Sequence, residues 1–223
     1  MKKVKAFLLK YKHGALFSYF IIYLIWFRLL ETRTDVTYYV VHTKLDNYIP
    51  FNELFAIPYF IWFGYIAYVL LYLCFKSKQD FYKACAYLFT GMSICLLIYS
   101  IWPTMQDLRP AVMPRQNILT WIISWLYSID SCTNVCPSIH VFNAVGCAVA
   151  LLKTERFKHS WRAYVVNIGL AVMITLSTMF IKQHSVYDVF WALILCFVLY
   201  VIVYVPDYSR IFQTVRVRAE NKT

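Results

Sequence analysis

The residues best suited to chemistry lie in one short stretch, Lys182-Gln183-His184-Ser185-Val186-Tyr187-Asp188, which interrupts two long apolar runs. It sets a cation, an imidazole and a carboxylate where polar groups at a membrane boundary are costly unless something uses them. On a helix, His184 and Asp188 are four apart and face one side. The carboxylate then accepts one imidazole N–H and leaves the other nitrogen free as nucleophile or base. Two further stretches offer complementary groups. Arg109, in Leu108-Arg109-Pro110, can grip a phosphate in bidentate fashion. Pro137-Ser138-Ile139-His140 reads as a helix start, with proline in the first turn, Ser138 as cap and backbone N–H groups, that of Ile139 included, facing an anion.

Each group also has an ordinary structural use. Arg109 and Lys182 can snorkel, Ser138 can cap a helix, His140 can bond locally, and His184 with Asp188 can be a structural pair. What separates the two readings is whether the elements that carry these residues bring them to one place.

Those elements are apolar. Of 223 residues, 61% are hydrophobic, 19% aromatic and only 15% charged, which marks an integral membrane protein. Charge-free windows cover residues 14–27, 54–75, 84–106, 163–181 and 189–205, and a sixth, 137–152, is broken only by His140. Most approach the roughly 20 residues that cross a bilayer. The expected fold is all-α: a six-helix membrane bundle over residues 14–206, between a basic segment at 1–13 and a basic tail at 207–223. The run 117–129 is too short to cross and is expected as an interfacial helix before the fourth span, carrying Trp121, Trp125 and Tyr127.

The net charge of +11 is not spread as a nucleic-acid surface would be. Lysines and arginines gather at the amino terminus, around 76–83, around 153–162 and in the tail. The intervening loops carry Glu31, Asp35, Asp46, Glu53, Asp107, Asp130 and Asp188. By the positive-inside rule both termini are cytoplasmic. No small-residue cleavage site follows the first apolar run, so it is expected to stay as a span. This topology places Arg109, Ser138, His140, Lys182, His184 and Asp188 on the same outer side, although they come from separate segments. Cys132 and Cys136 lie there too, at a spacing that leaves a disulfide open, and His42 reads as a surface residue among tyrosines.

At this point a family resemblance is specific. Leu108-Arg109-Pro110, Cys136-Pro137-Ser138-Ile139-His140-Val141, and Ser177-Thr178 followed by His184 and Asp188 resemble the three signature motifs of the type-2 phosphatidic acid phosphatase superfamily, over roughly residues 54–205. The resemblance implies a membrane bundle that works without metal or other cofactor, through a phosphohistidine. His184 would be the nucleophile and Asp188 its orienter. His140 would protonate the leaving oxygen and then activate water, while Arg109, Ser138, Ile139 and Lys182 hold the phosphate.

The implied activity is an outward-facing lipid phosphatase of a cytoplasmic (plasma) membrane. Its partners would be the bilayer and a lipid phosphate such as phosphatidate, phosphatidylglycerophosphate or a polyprenyl pyrophosphate. Three positions depart from the family pattern: Trp102 replaces a lysine, Ile139 a glycine and Thr178 an arginine, for which Lys182, one turn on, is the expected substitute. Such losses resemble those of the lipid phosphotransferase branches, inositol-phosphoceramide and sphingomyelin synthases, where a lipid alcohol replaces water. A non-catalytic protein that binds or transports anionic lipid is the third reading.

Overall fold

The computed structural model describes Ala6 and residues 9–206. Lysines 2, 3 and 5 and the basic tail expected at 207–223 lie outside the described residues. Among the described residues the α-helices are α1 (Tyr19–Glu31, continuing a 3-10 stretch at Lys12–Ser18), α2 (Ala56–Lys76), α3 (Lys78–Ile101), α4 (Ile118–Ile129), α5 (Ile139–Leu152), α6 (Trp161–Phe180) and α7 (Val186–Tyr204). Five segments are long and apolar enough to cross a membrane: Lys12–Glu31, Glu53–Lys76, Lys78–Ile101, Trp161–Phe180 and Val186–Tyr204.

The expected fourth span differs. It is α5, whose 14 residues rise only roughly 21 Å, short of about 30 Å of hydrocarbon. Ser138 caps its start, and it stops at Leu152, before Lys153. Between those points it is wrapped by α2, α3, α6 and α7, so protein rather than lipid surrounds it. A helix buried this way need not match the bilayer.

Small residues allow the wrapping. A Cβ on Gly91 of α3 would lie 1.9 Å from the Phe142 ring of α5, and one on Gly146 would lie 2.7 Å from Leu88. Large side chains of one helix therefore pack directly onto the glycine backbone of the other. Tyr87 and Phe142 stack across this crossing, with ring centroids 5.2 Å apart. Side-chain hydrogen bonds tie the remaining helices: Tyr65 Oη donates to Asn167 Oδ1 (2.8 Å, α2 to α6), Tyr87 Oη to the Cys196 carbonyl (2.9 Å, α3 to α7) and Trp26 Nε1 to Ser100 Oγ (3.2 Å, α1 to α3). Such bonds contribute on the order of 0.6 kcal/mol each in a membrane bundle.

The run 117–129 is a separate short helix, α4, as its length implied. Asn117 caps it by accepting from the Leu119 and Thr120 N–H groups, Ile123 and Leu126 pack toward Ala56 and Tyr59, and Trp121 and Trp125 stay exposed.

Loops cover the end of the bundle where α5 and α7 begin. Two-residue strands β1 (Tyr39–Val40) and β2 (Thr104–Met105) pair in parallel, Tyr39 with Thr104 and Val40 with Met105. Asn134 Nδ2 donates to Glu31 at the end of α1 (2.7 Å), and Ser131 Oγ donates to the same carboxylate. All seven cysteines are free thiols, Cys132 and Cys136 included.

Candidate active site

Two helix starts meet at this end. Ser138 caps α5 by accepting from the Val141 N–H (3.3 Å), and its own N–H donates to the Asp188 carbonyl (3.2 Å), which fixes the distance between α5 and α7. His140 follows in the first turn of α5. Ser185 caps α7, accepting from the Tyr187 N–H at 3.1 Å. His184 therefore lies just outside the helix, and the four-residue spacing to Asp188 works through a capping box rather than along a continuous helix. Asp188 Oδ2 accepts from the Ser185 N–H at 2.9 Å and faces His184 Nδ1 at 3.2 Å. Asp188 is fully buried and His184 nearly so, while His140 is half-buried.

The histidines touch. His140 Nδ1 is 3.2 Å from His184 Nε2. With Asp188 on Nδ1, His184 carries its proton there and keeps a lone pair on Nε2. On its far side, His140 Nε2 is 2.8 Å from Tyr59 Oη, which is 3.2 Å from Asp130 Oδ2. Trp62 Nε1 donates to the His140 carbonyl (3.0 Å), and its ring sits against the imidazole. Burial pushes the Asp130 carboxyl up from its ordinary range, and the neighbouring Glu31 adds to this, against the opposing pull of His184 and Arg109.

The turn that presents His184 is held from outside. The N–H groups of Gln183 and His184 both donate to the Thr178 carbonyl, at 2.8 and 3.0 Å. Asp46 then clamps the next residues, accepting from Ser185 Oγ (2.7 Å) and the Val186 N–H (2.8 Å) while bonded to Thr43 at 2.7 and 2.9 Å. Burial alone would raise the Asp46 carboxyl, but these donors outweigh it and leave it below the usual carboxylate range.

Two expected phosphate ligands have their cationic groups turned to acceptors of the protein itself. Because α6 ends at Phe180, Lys182 is not one helical turn beyond Thr178 but in a left-handed turn, at φ 55°. Its ammonium turns to the carbonyls of Asp46 and Ile49, and burial lowers its pKa. Arg109 lies closer to the site, yet its guanidinium is engaged. Nη1 donates to the Tyr127 carbonyl (3.3 Å), and Nη2 donates to the carbonyls of Asp130 (2.9 Å) and Ser131 (2.7 Å) and to Gln183 Oε1. Arg109 thereby fixes the Gln183 amide, whose Nε2 donates to Asp130 Oδ2 at 3.0 Å. Thr178 bonds back to the Thr175 carbonyl. Ser138 acts as a cap, and Ile139 lines the site from the first turn of α5, where backbone N–H groups have no intrahelical partner.

No family model, curated protein or solved structure matches the chain. The site's own surroundings are therefore the guide to its chemistry. His140, His184, Gln183 and Asp130 form the polar end of a cavity of about 520 Å³, whose walls are otherwise largely apolar and aromatic: Phe17, Phe20 and Phe27 before and in α1, Ile66 and Leu70 in α2, Tyr99 in α3. That volume and lining suit a small organic or lipidic ligand with a few polar groups at one end.

Tyr59, Trp62, Asp130, Gln183 and Asp46 were not among the site residues expected from sequence. Asp46 had a readable signal, since Thr43-x-x-Asp46 is a capping-box spacing. Asp130 had a weaker one, as the carboxylate that ends the apolar run 117–129. His42, read as a surface residue, pairs with Asp107 at 2.9 Å, away from the histidine pair.

Proposed function

We propose that the chain is a membrane lipid phosphatase of the type-2 phosphatidic acid phosphatase kind, removing a phosphate or pyrophosphate headgroup through a phosphohistidine. The observation that carries this reading is the line Asp188–His184–His140 ending on a largely apolar cavity. His184 Nε2 has the free lone pair that attacks phosphorus, and Asp188 stabilises the imidazolium character that develops. His140 Nδ1–H is the proton source for the leaving oxygen. The two nitrogens, in contact at 3.2 Å, part to admit the phosphoryl group. The first-turn N–H groups of Ile139 and His140 and the positive end of α5 then receive its oxygens. The cavity takes the hydrocarbon. The alternation of basic and acidic loops supports a multi-pass protein of the plasma membrane whose site faces outside.

A second reading keeps the same chemistry up to the phosphohistidine and passes the headgroup to a lipid alcohol. It is favoured by the aromatic surround of His140, with Trp62 and Tyr59 rings 4.4 and 4.9 Å from its own, which shields the pair from water.

The test is phosphate release from a panel of lipid phosphomonoesters and pyrophosphates in mixed micelles, with and without diacylglycerol, by the wild-type chain and by His184→Ala. Release abolished in His184→Ala supports the phosphatase. Label diverted from inorganic phosphate into a new lipid supports the transferase. Unchanged release in His184→Ala sinks the phosphohistidine, and neither product from any lipid moves the chain to anionic-lipid binding.

A further inference from the structure

Four hydrogen-bonded links join five side chains in one line: Asp188 to His184 (3.2 Å), His184 to His140 (3.2 Å), His140 to Tyr59 (2.8 Å) and Tyr59 to Asp130 (3.2 Å). Each link needs one proton. Two neutral imidazoles and one phenol supply three between them, so the line as built holds one proton more than its neutral members bring.

Its place follows from the two ends. Asp188 Oδ2 already accepts two N–H donors, from Ser185 and His184, as a carboxylate does. Asp130 Oδ2 meets the Gln183 amide at 3.0 Å and the Tyr59 hydroxyl at 3.2 Å, whose O–H can point either way, and the guanidinium beside it gives its Nη protons to carbonyl oxygens and to Gln183 Oε1 instead. The groups facing Asp130 are Glu31 and Tyr23 from α1, Tyr59 from α2, Arg109, and Gln183 and His184 from the turn before α7. With the extra proton on Asp130, every link points the same way. Asp130 donates to Tyr59, Tyr59 to His140 Nε2, His140 Nδ1 to His184 Nε2, and His184 Nδ1 to Asp188. Burial pushes both end carboxyls up, so what distinguishes Asp188 is the Ser185 backbone N–H, a fixed donor on its Oδ2.

We propose that Asp130 and Tyr59 are positioning residues that reload His140, forming a proton-supply arm opposite the Asp188 arm that orients His184. The inference rests on the phosphohistidine reading above. In the first half-reaction the bond from phosphorus to the lipid oxygen breaks as the bond from His184 Nε2 to phosphorus forms. The leaving oxygen keeps the electron pair and takes the proton of His140 Nδ1. His140 Nε2 takes the Tyr59 proton, and Tyr59 takes that of Asp130, which ends as a carboxylate. In the second half, water or an alcohol attacks phosphorus as the bond from phosphorus to His184 Nε2 breaks and leaves its electron pair on Nε2, while the proton of the attacking oxygen passes to His140 Nδ1 and one proton moves from His140 Nε2 through Tyr59 back to Asp130.

The experiment is single-turnover transfer of radiolabelled phosphate to His184 in the detergent-solubilised full chain. Two lipid-tailed substrates are compared: a long-chain alkyl phosphate, whose alkoxide needs a proton to leave, and a nitrophenyl phosphate bearing the same chain, whose phenolate does not. Asp130→Asn and Tyr59→Phe are each expected to slow labelling from the alkyl ester on the order of 10- to 100-fold, and from the nitrophenyl ester far less. Wild-type labelling from the alkyl ester is expected to fall as pH rises through the Asp130 ionisation, with no such fall for the nitrophenyl ester. Equal losses with both esters, in either variant, mean a structural role and overturn the proposal, as does an unimpaired alkyl ester rate. Wild type that labels from neither ester overturns the phosphohistidine reading itself, and the supply arm with it.

Discussion

The two histidines reach one site by different means. His140 is placed by the core: it sits in the first turn of α5, a helix enclosed by four others and pressed against Gly91 through Phe142. His184 is placed by the loops: it lies outside α7, in a turn held by the Thr178 carbonyl, the Asp188 capping box and the Asp46 clamp. The difference teaches that one partner is fixed by packing, which resists local change, and the other by hydrogen bonds that single substitutions remove. The proposed nucleophile therefore stands on the more editable support.

The sharpest way to break the comparison is to remove the imidazoles in turn. His184→Ala is expected to abolish the acid-labile phosphoprotein altogether. His140→Ala is expected to retain it while turnover of an alkyl ester falls on the order of 10²–10⁴-fold. Label on a residue other than His184 would reverse the roles. Next comes the packing support. Gly91→Ala forces a Cβ to within 1.9 Å of the Phe142 ring and is expected to cost about 1–3 kcal/mol of stability in thermal unfolding, with the label still formed below the transition.

Removing the loop support should separate activity from fold. Asp46→Asn leaves Ser185 Oγ and the Val186 N–H poorly matched, a cost of about 1–3 kcal/mol, and lowers the phosphorylation rate more than Gly91→Ala does. The sign of its pH dependence follows from the depressed Asp46 pKa. Its stabilisation is complete above the unfolded value, about 3.9, and is lost as pH falls through the lower folded value. The gap in melting temperature between wild type and variant should therefore be full at neutral pH and close on acidification. The smallest effect belongs to Lys182→Met. It removes the donor to the Asp46 and Ile49 carbonyls, about 1 kcal/mol, and is expected to change turnover by less than about 3-fold. A loss of the size expected for His140→Ala would restore Lys182 as a phosphate ligand.

Much of this arrangement was legible in the sequence because period and charge report on it directly. Apolar windows gave the long helices and Pro137-Ser138 marked the start of α5, whereas the start of α7 at Ser185 was missed, since the four-residue spacing puts His184 and Asp188 on one continuous helix. Length alone left α5 undecided, because an apolar run reports that a helix is buried but not whether lipid or protein buries it. The direction of Lys182 was illegible for a different reason. It depends on a backbone turn after Phe180, and a lysine gives no sign that it will adopt φ 55° where glycine or asparagine is the usual choice. Tyr59 and Trp62 were hidden among the α2 aromatics, since belt residues and site residues share a composition and only the neighbour across the gap tells them apart.

One consequence concerns α1. Its Glu31 grips the loop that follows α4, through Ser131 and Asn134, while its aromatic rings form one wall of the cavity and no group in the five-membered hydrogen-bonded line. On the proposed reading, the part of the wall that α1 supplies would meet a hydrocarbon chain and carries none of the groups that would meet a headgroup. If the proposed reading holds, exchanging Phe20 or Phe27 for a smaller or larger side chain would alter which tails fit without touching the two histidines, so chain preference could diverge between descendants of such a protein while its chemistry stayed constant.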